Sequence, residues 1–165
     1  MIYNDTGIPP LRVYSIHTPT PQLIGKGERI GKKYETSARR LAAGGGLDIS
    51  RDGTIFTIPG SRFTIYQYNM RAELLSTLDI QDPPDYVPFT KTLAKQCQSK
   101  KTREWQKAIS SFSHIYGLWV VQCQDGSQDV VVENRAPYPH ASVRVYHVID
   151  LATGWVLQTK VFRRR

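Results

Sequence analysis

The stretch Leu118–Glu133, LWVVQCQDGSQDVVVE, decides how the chain is read. Two apolar runs, Leu118–Gln124 and Gln128–Glu133, flank the pair Asp125-Gly126. An Asp-Gly pair supplies the positive φ that a tight hairpin turn needs, so the runs predict adjacent antiparallel strands. Downstream, Ser142–Ile149 sets Val143, Val145, His147 and Ile149 against Arg144, Tyr146 and Val148, the two-residue period of a strand. Asp150–Gly154 turns the chain into a last strand, Trp155–Phe162. Four consecutive strands with short links predict an antiparallel meander.

Upstream, Thr102–Tyr116 repeats Trp105, Ala108, Ile109, Phe112 and Ile115 at steps of three and four, which predicts a helix with one apolar face, stopped by Gly117. A second helix is expected over Thr90–Gln98. A third, short one is expected after Asn69, whose side chain can cap it, with Met70, Leu74 and Leu78 on one face. Leu47–Ile58 reads as a hairpin around Asp52-Gly53, and Arg62–Tyr68 as a strand. The fold class that follows is α+β: a C-terminal antiparallel β-meander packed by one or two helices, within a domain of residues 47–165. Residues 1–46 read as an extended basic arm. Pro9, Pro10, Pro19 and Pro21 punctuate it, Leu11–Ile16 offers a short strand, and Gly44-Gly45-Gly46 ends it like a flexible joint.

The 165 residues are 40% hydrophobic and 22% charged, which argues against wholesale disorder and against a fibrous protein. No apolar run approaches the roughly 18 residues of a membrane-spanning helix. Met1–Pro10 lacks the layout of a signal peptide, so a cytoplasmic or virion location is expected. Cys97 and Cys123 are too few for a disulfide scaffold and show no zinc-type spacing, so both are read as reduced. The formal net charge is +8, and it is localised. Lys26, Arg29, Lys32, Lys33, Arg39 and Arg40 form one cluster, Lys100, Lys101 and Arg103 the heart of a second, and Lys160 to Arg165 a third. Such clusters predict sequence-independent contacts with phosphate, on nucleic acid or on an anionic membrane surface. Tyr66 and Tyr68 share one strand face near Arg62 and Arg71, a candidate stacking platform for unpaired bases.

Signals for catalysis are sparse. Gly25, Gly27, Gly31 and Lys32 miss the phosphate-loop spacing by one residue in either register, and Lys33 stands where the hydroxyl should be. His17, His114, His140 and His147 have no metal-ligand spacing, so no metal and no cofactor are expected. Asp129, Glu133, Asp150 and Lys160 bring acids and a base onto neighbouring strands, which makes a small metal-dependent nuclease the alternative from a different class.

The most specific short motif is Pro83-Pro84-Asp85-Tyr86, a PPxY sequence. Its prolines favour the extended conformation that docks into aromatic grooves of WW domains, with the tyrosine filling a pocket. The stretch Asp82–Phe89 resembles the PPxY segment of matrix proteins of negative-strand RNA viruses. That resemblance covers eight residues and implies a small, basic, non-enzymatic viral protein that binds membrane and nucleocapsid and self-assembles. It also implies a host WW-domain partner, held by Pro83, Pro84 and Tyr86. Those proteins carry the motif near a flexible N-terminus, whereas here it lies mid-chain. The reading is therefore a non-enzymatic, matrix-like structural protein that binds nucleic acid or an anionic surface and forms a homo-oligomer. A PPxY-dependent adaptor is a further alternative.

Overall fold

The computed structural model describes residues 2–4, 11–13, 22–24, 45–60, 62–81, 83, 86–90, 92, 102–135, 137 and 143–163. Three short strands, β1 (Ile2–Asn4), β2 (Leu11–Val13) and β3 (Gln22–Ile24), pair antiparallel in the order β1-β2-β3. The body of the chain follows: β4 (Gly45–Ile49), β5 (Ile55–Pro59), β6 (Thr64–Tyr68), β7 (Leu74–Asp79), helix α1 (Thr102–Ile109), β8 (His114–Gln122), β9 (Gln128–Arg135), β10 (Val143–Asp150) and β11 (Val156–Arg163). These strands form two four-stranded antiparallel sheets, β4-β5-β6-β7 and β11-β10-β9-β8.

This corrects the α+β expectation. The described part is nearly all β, and a second sheet, not a helix, covers the C-terminal meander. The shared core holds Phe56 and Ile58 of β5, Phe63 and Ile65 around β6, and Ile80 and Tyr86 beyond β7. Facing them are Ile115 and Leu118 of β8, Val130 and Val132 of β9, and Ile149 of β10. The architecture is a β-sandwich, with inward residues alternating with outward ones along each strand. Fully burying one such aliphatic or aromatic side chain contributes about 1.5–3 kcal/mol, so this layer is the main source of stability.

Two helix expectations fail for identifiable reasons. Asn69 does cap, but it caps a turn: its Oδ1 accepts from the N–H groups of Arg71 (2.9 Å) and Glu73 (3.0 Å). Ala72 takes φ 64° there, and the chain returns as β7, paired with β6. Asn side-chain bonds to the following amides serve a turn as well as a helix start, and strand pairing decides which one forms. The 102–116 helix is halved. At its end the Ser111 hydroxyl bonds back to the Ala108 carbonyl at 2.7 Å. Ser113 N–H then donates to the Val87 carbonyl at 2.8 Å, and Ile115 N–H to the Gly60 carbonyl at 3.1 Å. Phe112 and Ile115 are both buried, but in a loop and a strand, so their three-residue step mimics a helical face. The expected helix at Thr90–Gln98 lies almost wholly outside the described residues.

The two sheets approach most closely where β4 runs against β8. The Asp48 carboxylate accepts from Val120 N–H of β8 (2.8 Å) and from Ile49 N–H (2.8 Å). Gly45 and Gly46, expected to form a joint, are instead part of β4, paired with Pro59 and Ile58. Among the described residues, no helix is long and apolar enough to cross a membrane.

Candidate nucleic-acid interface

Strand alternation sends Val130, Val132, Val145, His147 and Ile149 into the core, so their neighbours stand on the opposite face of the β8–β11 sheet. Register aligns these outward residues in three rows across the strands. One row is Trp119–Val131–Val148–Gln158, the next Gly117–Glu133–Tyr146–Lys160, and the third His114–Arg135–Arg144–Phe162. Val131, Arg144, Tyr146, Val148, Gln158, Lys160 and Phe162, with Arg163, line an open groove of about 680 Å³.

Three aromatic rings cross this face. Trp119 lies 6.3 Å from Tyr146, and Tyr146 meets Phe162 edge-on at 5.3 Å. Trp119 and Phe162 are 43% and 55% exposed, which is unusual for side chains of that size and leaves their faces open to a ligand. Gly117 makes room for the indole: a Cβ there would stand 2.4 Å from the far edge of the Trp119 ring.

Cations stand among the rings. The Arg144 guanidinium pairs with Glu133 at 3.1 Å. A hydrogen bond to Tyr146, and then the Glu133 charge, push its pKa up, so it stays charged at any physiological pH. Arg135 sits over the Tyr116 ring at 4.2 Å, a cation–π contact. Lys160 and Arg163 line the groove from the edge strand. Glu133 alone brings negative charge to the middle rows, and Arg144 offsets it.

Behind this face lies His147, 1% exposed. Its Nε2 is 2.7 Å from Asn134 Oδ1 and its Nδ1 3.0 Å from Thr159 Oγ1. The amide oxygen is an acceptor, so the proton belongs on Nε2 and the threonine hydroxyl donates to Nδ1. Burial lowers the His147 pKa to about 4, so the ring is neutral and structural at neutral pH.

Lys26, Arg29, Lys32, Lys33, Arg39, Arg40, Lys100 and Lys101 lie outside the described residues. Arg103 is exposed on α1. Tyr66 and Tyr68 do share a face and stack on each other at 6.4 Å, but Tyr68 is buried against Ile55. Burial, and then Tyr66 beside it, raise the Tyr68 pKa. Arg62 is hydrogen-bonded to the Tyr66 hydroxyl. That pair is therefore no open platform. Pro83 and Tyr86 close a turn, Tyr86 N–H to Pro83 carbonyl at 3.1 Å, and the Tyr86 ring packs edge-on against Phe63 at 4.7 Å in the core. To fill a WW-domain pocket it would have to leave that core. Pro84 lies outside the described residues.

Asp129, Glu133, Asp150 and Lys160 do reach the same sheet, and Asp129 pairs directly with Asp150 in register. Each acid is already engaged, however. Glu133 holds Arg144, Asp129 accepts from the Cys123 thiol (3.3 Å), and Asp150 accepts from Ala152 N–H (2.8 Å) and the Thr153 hydroxyl (2.6 Å). Among the described residues, no group of three His, Cys, Asp or Glu is placed to hold a metal ion. Cys123 carries a free thiol, and Cys97 lies outside the described residues. Comparisons with protein-family models, with curated proteins and with solved structures gave no match to the chain.

Sequence reading missed Trp119, Tyr146 and Phe162 as a set. The alternation of Arg144, Tyr146 and Val148 against the valine face was legible, but nothing in the sequence says which face a second sheet covers.

Proposed function

We propose that the chain is a non-enzymatic protein that binds single-stranded nucleic acid, without sequence preference, across the outer face of the β8–β11 sheet. The observation that carries this is a line of three aromatic rings, Trp119, Tyr146 and Phe162, of which Tyr146 and Phe162 line a groove together with Arg144, Lys160 and Arg163. Unpaired bases stack on flat aromatic faces, and each stack is worth about 1–3 kcal/mol, whatever the base. Cations beside them neutralise the backbone that threads between. The basic residues at 26–40 would extend the same electrostatic attraction, in keeping with a matrix-like assembly role. An anionic membrane presents phosphate too, but no flat rings, so it would use the cations and leave the aromatic line idle.

Fluorescence polarisation of labelled single-stranded oligonucleotides across a salt series tests this. Tyr146→Ala is expected to weaken binding by about fivefold or more, the low end of one lost stack. Lys160→Gln is expected to reduce the slope of log affinity against log salt by about one contact. Affinity unchanged by Tyr146→Ala, with full competition from anionic vesicles, would replace nucleic acid with a lipid surface.

Gly117→Ala provides a separate check. The added methyl displaces only the outer edge of the Trp119 ring, which can swing away, so the fold should hold while the platform loses its third ring. The expected result is a several-fold weaker oligonucleotide affinity with a nearly unchanged urea midpoint. A large shift in midpoint would mean that Gly117 serves packing instead.

A further inference from the structure

The β11-β10-β9-β8 sheet ends on β11, and among the described residues no strand pairs with its outer edge. Lys160 and Arg163 give this edge part of the usual protection, but its length and its apolar side chains work against it. It is eight residues long, and Leu157, Val161 and Phe162 are 58%, 56% and 55% exposed. A long apolar edge with unpaired N–H and C=O groups is a template for another strand.

We propose that the occupant is β11 of a second copy of this chain, paired antiparallel about a two-fold axis at Thr159. The sequence of the strand supports that partner. Reading outward from Thr159, Gln158 faces Lys160 and Leu157 faces Val161. The stretch is a palindrome in chemistry, the self-complementarity an isologous interface requires. A two-fold axis perpendicular to the sheet keeps both cores on the same side, so paired residues must belong to the same face, and shifts by a single residue are ruled out. Moving the axis to Lys160 sets lysine against lysine and Leu157 against Arg163; moving it to Gln158 sets Leu157 against Thr159. Among these three neighbouring registers, the one at Thr159 pairs apolar with apolar and keeps like charges apart. The irregularity between Val148 and Ile149, where the register jumps from Gln158 to Val156, bounds the pairing stretch at Leu157. Two sheets joined in this way make one eight-stranded sheet. The two grooves then lie side by side, with Lys160 and Phe162 of both copies near the seam.

The association involves no nucleic acid, so it is tested on the full chain alone, and its failure would leave oligonucleotide affinity unaffected. Analytical ultracentrifugation over a concentration series should show a monomer–dimer equilibrium. Leu157→Lys with Val161→Lys places like charges opposite each other twice and should weaken the dimer by at least about tenfold. Leu157→Lys with Val161→Glu places opposite charges in the same register and should associate more tightly than the double-lysine variant. All of these side chains are exposed, so the fold should tolerate both variants. A chain that stays monomeric at every concentration overturns the proposal. So does a double-lysine variant that associates as well as the unaltered chain.

Discussion

Gly46→Ala is expected to cost about 3 kcal/mol or more, at the upper end of overpacking effects. A Cβ at Gly46 would stand 2.2 Å from Leu118 N, 2.4 Å from Leu118 Cβ and 2.5 Å from Gly117 carbonyl carbon. Two of those atoms are backbone, which cannot rotate aside, so β4 and β8 would have to part. Parting them also stretches the bond from Val120 N–H to the Asp48 carboxylate. Gly126→Ala is the natural control. Gly126 has φ 87° and nothing within 4 Å of its added Cβ, so alanine there costs only its backbone strain, about 1–2 kcal/mol. Urea unfolding of both variants gives the comparison. Equal midpoints would mean that β4 does not lie against β8.

Acidification is expected to remove about 3 kcal/mol of stability between the ordinary histidine pKa of 6.5 and about 4, through His147 alone. The sign follows from proton uptake. In that window the unfolded chain protonates its imidazole and the folded chain does not, so unfolding binds a proton and stability rises with pH. The contribution is complete above 6.5 and gone below about 4. Protonation would also turn Nδ1 into a donor facing the Thr159 hydroxyl. The exposed carboxylates act lower. Hydrogen bonds, from Ser50 to Asp52, Ser127 to Asp125 and Thr153 to Asp150, hold these groups below 3.8, so their support fades only below that value. Urea midpoints at stepped pH should therefore fall in two stages. His147→Gln should flatten the first stage and keep the second. A midpoint that is level from 6.5 down to about 4 in the unaltered chain would show that His147 ionises freely in the fold.

How much of this was legible from sequence depends on the range of the interactions. The Asp52-Gly53 and Asp125-Gly126 turns are read locally, because the positive φ of Gly53 and Gly126 (both 87°) is a property of the residue. The four strands of the meander were legible locally, two from apolar runs about the Asp125-Gly126 turn and β10 from its alternation, although β8 begins at His114, inside the expected helix. The failures are non-local. Leu74–Asp79 carries apolar residues at helical spacing, yet pairs with Thr64–Tyr68 across the Asn69 turn. Phe112 packs on Phe89 at 4.7 Å and Ile115 joins the core cluster with Phe56 and Ile65, neighbours far away in sequence rather than a helical stripe. The site was missed for the same reason. Tyr66 and Tyr146 both read as strand aromatics next to an arginine, and only their neighbours in space, with Ile55, Leu47 and Ala72 clustered around Tyr66 and Tyr68, separate a covered face from an open one.

The seam between β4 and β8 also governs how the chain must fold. Asp48 and Val120 are 72 residues apart, and their bond forms only after everything between them has been gathered in. The β8–β9 and β10–β11 hairpins close over short loops and can form early. Docking β4 on β8 has to bear the closure entropy of a long loop before it gains any contact. The chain should therefore fold on the millisecond-to-second scale of sandwich proteins, with β4 among the last strands to dock and, under stress, among the first to detach.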